Sequence, residues 1–177
     1  MRAPVFALGI ILLAAGSILY LMGPTMVTSD ESSPFISSQT YTVQPGYYYY
    51  IYNTVDISGK DSGTVRITGS YTVSYGYGID FYLFDSTNYE QWRLGYSATP
   101  LSKGAGLSSY TFNVPIGSGG KYYLVFDNTA GANPKTLTVI ATLVWKLTEY
   151  DYTLGQVGAV VAVVGLACAV AGAASKG

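Results

Sequence analysis

The stretch Lys121-Tyr-Tyr-Leu-Val-Phe-Asp-Asn128 decides the fold of this chain. It follows Gly119-Gly120 and is dense in aromatic and aliphatic residues at both odd and even positions. Such a run, bounded by turn residues, is typical of a strand buried on both faces. We therefore predict that it forms a strand in the middle of a sheet, around which the other strands pack.

The segments around this strand alternate between apolar and polar residues, which indicates strands with one face in water. The clearest is residues 64–75, whose apolar face carries Val65, Ile67, Tyr71, Val73 and Tyr75. Gly69 interrupts that face and predicts a bulge or a close neighbour. Further strands are predicted at residues 41–43, 47–55, 79–85, 109–114 and 136–147.

These seven or eight short strands are separated by Gly, Pro, Asn and Ser rather than by helices. The pattern predicts a mainly β fold, an antiparallel, jelly-roll-like β-sandwich, over residues 38–148. Residues 86–94 are the one helical piece within it. Ser86 is the expected N-cap, Gly95 the expected end, and Tyr89, Trp92 and Arg93 share one side.

The composition restricts the class of protein. Only 11% of the 177 residues are charged, against about 25% in a soluble domain, which points to contact with a membrane. The net charge of −1 argues against a nucleic-acid partner, which would require a concentrated basic patch. Cys168 is the single cysteine and histidine is absent, so disulfides and thiolate metal sites within the chain are excluded.

Two apolar runs predict membrane-spanning helices. The first run lies in residues 1–23, and the second lies in residues 149–177, where a short tail follows it. A helix of about twenty residues is long enough to cross the hydrocarbon core of a bilayer. Arg2 precedes the first run and Lys176 follows the second, so both termini are expected in the cytoplasm and the sandwich outside. The alternative for the first run is a cleaved signal peptide. Residues 24–37, rich in Ser, Thr and Pro, predict a linker.

Small residues recur at heptad spacing in both apolar runs. They keep one helix face narrow, and close backbone packing is a main source of helix association in lipid. We predict that the two spans pack through this face, within or between subunits; the alternative is that small residues are simply common in membrane helices. The residues concerned are Gly9, Gly16, Gly158, Ala162, Gly165, Ala169 and Gly172.

Two segments resemble a known family. Residues 79–92, Ile-Asp-Phe-Tyr-Leu-Phe-Asp-Ser-Thr-Asn-Tyr-Glu-Gln-Trp, and residues 121–129 with the later Lys135-Thr-Leu-Thr-Val, are similar to GOLD-type domains, the luminal module of emp24-like cargo receptors. The resemblance covers roughly residues 41–145. It implies a β-sandwich that recognises proteins or lipid-linked partners without catalysis. The disulfide-free, tyrosine-rich, doubly anchored form is more similar to a prokaryotic, archaeal-like surface protein.

The chain departs from the emp24-like pattern in three ways. It has no cysteine pair, no heptad coiled coil before the last span and no sorting signal after it. Cargo sorting in the eukaryotic sense is therefore not expected of it.

The sequence offers few candidate sites, and each also has a simpler structural interpretation. Asp80, Asp85 and Asp127 are hard ligands of the kind that Ca²⁺ prefers, but turn capping by Asp85 and Asp127 is the favoured interpretation. Asp127-Asn128 is interpreted as a structural strand end. No base accompanies the many serines, so we predict no enzyme, no metal and no cofactor.

Tyr48, Tyr50 and Tyr52 remain as a possible interaction surface, because exposed tyrosines offer contact area at low entropic cost. The alternative is a two-sided core strand with hydroxyls at its rim. The predicted function is an extracellular interaction module and accessory subunit that binds other membrane or envelope proteins. The alternative is a structural protein of the cell envelope.

Overall fold

The computed structural model describes residues 3–175 as two compact units. One unit contains the described residues up to Thr28 and those from Thr148 onward, and the other contains Ser29–Leu147. The elements in chain order are α1 (Ala3–Leu21), β1 (Thr25–Val43), β2 (Tyr48–Val55), β3 (Arg66–Tyr75), β4 (Ile79–Asp85), α2 (Ser86–Arg93), β5 (Ser102–Leu107), β6 (Ser109–Pro115), β7 (Gly120–Asp127), β8 (Lys135–Asp151) and α3 (Thr153–Ala174).

The eight strands form two antiparallel four-stranded sheets. One sheet has the order β1-β8-β3-β6 and the other has the order β2-β7-β4-β5. This order is that of a jelly roll, in which strands near in sequence alternate between the two sheets. The predicted fold class, a mainly β sandwich flanked by two apolar helices, is confirmed.

β7 lies inside its sheet, as its two-sided apolar sequence predicts. It pairs with β2 from Tyr48 opposite Asp127 to Val55 opposite Gly120, and with β4 on its other side. Leu124 and Phe126 point into the core between the sheets, whereas Val125 is buried on the opposite face beneath α2. Both faces of β7 are therefore removed from water.

The core between the sheets is built from the apolar positions of the alternating strands. Tyr71, Phe81 and Phe126 form a ring cluster at its centre, with centroids 5.4–5.5 Å apart. Gly69 faces this core, and a Cβ atom there would lie 2.7 Å from Cζ of Phe112 and 2.4 Å from the carbonyl oxygen of Ile140. The gap in the apolar face of β3 thus admits a close neighbour.

Residues 25–37, which the sequence predicts as part of a linker, belong to the strand β1. Most of its side chains are exposed, and the strand is held by main-chain pairing to β8 rather than by apolar burial. Phe35 and Ile36 are the first of its residues to enter the core. Pro34 lies in an edge strand, where proline is tolerated because the N–H groups along the open side have no partner in the ladder.

α1 and α3 pack against each other as an antiparallel pair of apolar helices. Both are long and apolar enough to cross a membrane. α3 begins at Thr153, earlier than the apolar run at residue 157 indicates. Arg2 and Lys176, on which the predicted orientation depends, lie outside the described residues.

Candidate functional site

The candidate site is the outer face of the sheet β2-β7-β4-β5. Because side chains alternate along a strand, Tyr48, Tyr50 and Tyr52 of β2 point to this face. Tyr49 points the other way and meets Tyr41 of β1, with ring centroids 4.7 Å apart. β2 therefore carries tyrosines on both faces, as the sequence indicates, and the two sets have different surroundings.

α2 lies on this outer face and defines one side of the site. Its N-cap is Asp85, whose carboxylate accepts the N–H of Asn88 at 2.8 Å, so the predicted cap at Ser86 is wrong by one residue. Asp85 caps the helix in place of Ser86 because its carboxylate is positioned to accept the N–H of the third helical residue. Gly95, at φ +78°, follows the helix, as predicted.

Aromatic contacts join α2 to the strands. The ring of Tyr89 stacks on Tyr123 of β7 with centroids 4.0 Å apart, and the rings of Trp92 and Tyr48 form a T-shaped pair with centroids 4.9 Å apart. Phe84 of β4 and Val125 are buried beneath them. Tyr89, Trp92, Tyr48 and Tyr123 thus form a single packed cluster, here called the aromatic cluster.

Tyr50 and Tyr52 continue the aromatic cluster into solvent. Tyr50 lies 5.3 Å from Tyr89, and Tyr52 lies 5.5 Å from Tyr123, between ring centroids. Tyr50 is nevertheless 44% exposed and Tyr52 is 51% exposed, because α2 lies over β4 and β7 rather than over β2. The rings of Tyr50 and Tyr52 therefore pack against the aromatic cluster on one side and face solvent on the other.

The electrostatics of this face are nearly neutral. Lys121 places Nζ over the ring of Tyr52 at 5.3 Å from its centroid, and Arg93 pairs with Glu90 at 2.6 Å. Burial raises the pKa of Tyr89 and, with the Asp80 carboxylate as the second cause, that of Tyr82. These two hydroxyls stay protonated at neutral pH, so the surface offers rings and neutral hydroxyls, with the Lys121 ammonium as the charged group beside Tyr52.

The three acidic residues considered for a metal are engaged in local hydrogen bonds. Asp85 caps α2, Asp127 accepts the N–H of Thr129 at 2.8 Å, and Asp80 accepts the N–H of Gly106 at 2.6 Å. Asp80 and Asp127 are cross-strand partners, and Asp85 lies at the far end of β4. Over residues 3–175, no group of three acidic, histidine or cysteine side chains is arranged to hold a metal ion.

The small residues of the two apolar helices lie at the α1–α3 contact. A Cβ atom on Gly9 would lie 2.3 Å from the main-chain nitrogen of Ala169, and one on Gly16 the same distance from that of Ala162. From the other helix, a Cβ atom on Gly165 would lie 2.3 Å from the nitrogen of Leu13. Gly158 and Gly172 approach α1 in the same manner, so the structure brings together the seven residues predicted for this contact. Gly23, which continues the heptad spacing of Gly9 and Gly16, lies beyond α1, and a Cβ atom there meets nothing within 4 Å.

Asn128 has a structural role wider than a strand end. Its side chain is 2% exposed, and Nδ2 donates to the carbonyl oxygens of Val43 at 3.1 Å and Asn133 at 2.9 Å. Its main-chain N–H donates to Tyr47 at 3.0 Å. This one residue therefore ties the β1–β2 loop to the β7–β8 loop, and only the Phe-Asp-Asn ending of the strand signals it in the sequence.

Comparison with known proteins adds structural neighbours of low similarity. No protein-family model and no curated protein matches the chain. A solved structure described as Bacillus endospore appendages, a family of disulfide-linked pili, is 16% identical over 70% of this chain and 90% of its own, with a TM-score of 0.40. The pre-peptidase C-terminal domain of a Bacillus anthracis collagenase is 17% identical over 65% and 89%, at 0.32.

A family 11 carbohydrate-binding module of a Clostridium thermocellum cellulase is 11% identical over 68% of this chain and 94% of its own, with a TM-score of 0.30. None of these three structures is a GOLD domain. Likenesses this weak say nothing about function.

Proposed function

We propose that this chain is a membrane-anchored, extracellular, GOLD-like interaction module, an accessory subunit that binds another protein of a membrane complex. α1 and α3 anchor it in the bilayer, with both termini in the cytoplasm, as the charges of Arg2 and Lys176 indicate. The sandwich presents the binding surface outside the cell. No catalytic step is assigned to it.

One observation carries the proposal: Tyr50 and Tyr52 are about half exposed although they rest on a packed aromatic cluster. Tyrosines of this kind have little rotamer freedom left to lose, so binding a partner costs them little entropy. Exposed, rigid aromatic rings with polar tips are enriched where proteins meet proteins. The low charge of the surface favours a partner patch that is also uncharged.

The test is copurification of the full chain from the cells that make it, after extraction in a mild detergent. The native chain should bring down a larger membrane protein in a fixed ratio. The Tyr50→Ser/Tyr52→Ser variant should lose at least nine-tenths of that protein. The matched control is Tyr75→Ser/Tyr77→Ser, because Tyr75 and Tyr77 are also exposed, at 65% and 87%, but do not belong to this face.

Unchanged copurification by the Tyr50→Ser/Tyr52→Ser variant would refute the proposal. Recovery of the chain in large, detergent-resistant assemblies of itself would support the alternative function, a structural protein of the cell envelope.

A further inference from the structure

The open edge of β2 offers main-chain groups as well as tyrosine rings. β2 is the last strand of its sheet and pairs with β7 alone. In an antiparallel pair, residues alternately direct their N–H and C=O groups toward the partner and away from it. Half of the main-chain groups of β2 therefore point out of the sheet.

The hydrogen bonds at the two ends of β2 show which residues these are. Asn128 donates its N–H to the carbonyl oxygen of Tyr47, so Tyr47, Tyr49 and Ile51 direct their main-chain groups toward β7. The N–H of Thr54 is accepted by the side chain of Asn53 at 2.8 Å rather than by β7, which agrees with this alternation. Tyr48, Tyr50 and Tyr52 are thus the residues that direct N–H and C=O to the open edge.

β2 lacks the devices that protect the edge strands β1 and β5. Natural edge strands are blocked by Pro, charged side chains, bulges or shortness, because a free edge is a template for another strand. β1 carries Asp30, Glu31 and Pro34, and β5 is six residues long with an irregular register to β4. Residues 48–55, Tyr-Tyr-Tyr-Ile-Tyr-Asn-Thr-Val, contain no Pro, no Gly and no charge.

We infer that the partner of this module adds an extended, uncharged segment of its own chain as a fifth strand beside β2. The inference rests on the proposed function and specifies its mode of recognition. Main-chain hydrogen bonds from Tyr48, Tyr50 and Tyr52 hold the segment. Their rings then flank its alternate side chains, which fits β-branched or aromatic residues. β2 itself carries no charge, so, apart from Lys121 over the ring of Tyr52, it offers no ionic partner to a charged residue of the segment.

The test uses the full chain in detergent and a labelled, uncharged seven-residue peptide of alternating threonine and valine, followed by fluorescence anisotropy. The same peptide with an N-methyl group on every residue is the matched probe, because it keeps the side chains but has no N–H on either edge with which to pair along a strand. We expect the unmodified peptide to bind and the N-methylated peptide to bind at least tenfold more weakly. Equal binding of the two, or no binding of either at millimolar concentration, overturns the inference.

Two protein variants complete the test. Tyr50→Pro removes an N–H that β7 does not use, so the sheet should persist, as a thermal melt will check, while peptide affinity falls at least tenfold. Tyr75→Ser should leave peptide affinity unchanged. If the chain dimerises and Tyr50→Pro abolishes the dimer, the open edge of β2 binds a second copy of the chain. That result would overturn the assignment to a different partner.

The two proposals fail separately. Suppose that the peptide does not bind, while the Tyr50→Ser/Tyr52→Ser variant fails to copurify the partner protein. Recognition then uses the tyrosine rings without strand addition, and only the further inference is wrong. If that double variant retains the copurified protein, the proposed function itself is wrong.

Discussion

The ring of Tyr89 on α2 lies face to face with the ring of Tyr123 on β7, at 4.0 Å between centroids and 6° between planes. Tyr89 is buried, and the pair joins the only helix of the sandwich to its central strand. Tyr50 and Tyr52 rest on these same two rings. The stacking of Tyr89 on Tyr123 therefore supports the surface proposed to meet a partner.

Replacement of Tyr89 by alanine should destabilise the sandwich. Tyr89→Ala leaves a cavity between α2 and β7 and is expected to lower the free energy of unfolding by about 3 kcal/mol. Denaturant unfolding of the full chain in detergent, followed by tryptophan fluorescence, measures this. Tyr96→Ala is the control, because Tyr96 is 69% exposed just beyond α2, and should change stability by about 0.5 kcal/mol or less. Equal effects of the two changes would contradict the packing described.

Replacement of Gly165 by leucine should separate the two apolar helices. The new side chain would start 2.3 Å from the main-chain nitrogen of Leu13, and backbone cannot give way as a flexible side chain can. The readout is disulfide crosslinking in membranes between Tyr20→Cys and Gln156→Cys, with Cys168→Ala as background. We expect the crosslinked fraction to fall several-fold.

Gly155→Leu is the matched control for this experiment. Gly155 also lies in α3, but a Cβ atom there meets nothing within 4 Å. Crosslinking that survives Gly165→Leu as well as it survives Gly155→Leu would reject the small-residue contact.

The raised pKa of Tyr71 predicts that the sandwich loses stability at alkaline pH. Burial, followed by the Asp80 carboxylate, raises the pKa of Tyr71 to about 12 from an ordinary value near 10. Between about pH 10 and pH 12 the unfolded chain releases this proton while the folded chain keeps it. The stabilisation is therefore complete below pH 10 and is lost as the pH rises toward 12.

Tyr71→Phe tests this contribution through the free energy of unfolding between pH 8 and pH 12. The variant should lose about 1 kcal/mol near pH 8, because the hydroxyl lies 3.3 Å and 3.4 Å from the carbonyl oxygens of Leu107 and Ile79. Its decline above pH 10 should be shallower than that of the native chain. Tyr77→Phe is the exposed control and should follow the native profile; parallel curves for Tyr71→Phe and the native chain would refute the assignment.

Asn128→Asp should destabilise the loops that join β1 to β2 and β7 to β8. A carboxylate of the same shape cannot donate to the carbonyl oxygens of Val43 and Asn133, and it would bury a charge among them. We expect a loss of about 3 kcal/mol at neutral pH that is partly recovered in acid, as the buried carboxyl takes up a proton. Asn133→Ala keeps its main-chain carbonyl and serves as the control. A loss of less than 1 kcal/mol for Asn128→Asp would show that the bridge is dispensable.

The sequence predicts the apolar strands well and the polar ones poorly. The bounds of β4 match the prediction and those of β7 differ by one residue, because both strands are buried on two faces and their composition shows it. Residues 25–37 of β1 expose most of their side chains and lack alternation, so nothing local separates them from a linker. β5, Ser-Lys-Gly-Ala-Gly-Leu, has low strand propensity and is a strand only through its pairing with β4.

The site shows the same division between local and distant causes. Period-two alternation is enough to place Tyr48, Tyr50 and Tyr52 on one face of a strand. Whether that face is core or surface depends on where α2 lies, and that position is set by Tyr89 and Trp92 reaching strands far from them in sequence. The hydrogen bond from Asn128 to Val43 joins residues 85 positions apart, so the sequence near either residue does not indicate it.

The pairing of β1 with β8 sets the order in which this chain can mature. The hydroxyls of Thr40 and Thr138 meet across 98 residues, and those of Thr28 and Thr148 across 120. On the ribosome, β1 must wait with an unsatisfied edge until β8 has emerged, and closing such long loops slows folding. The abundance of Ser and Thr in β1, together with Asp30, Glu31 and Pro34, keeps that waiting segment soluble and protects it from premature aggregation.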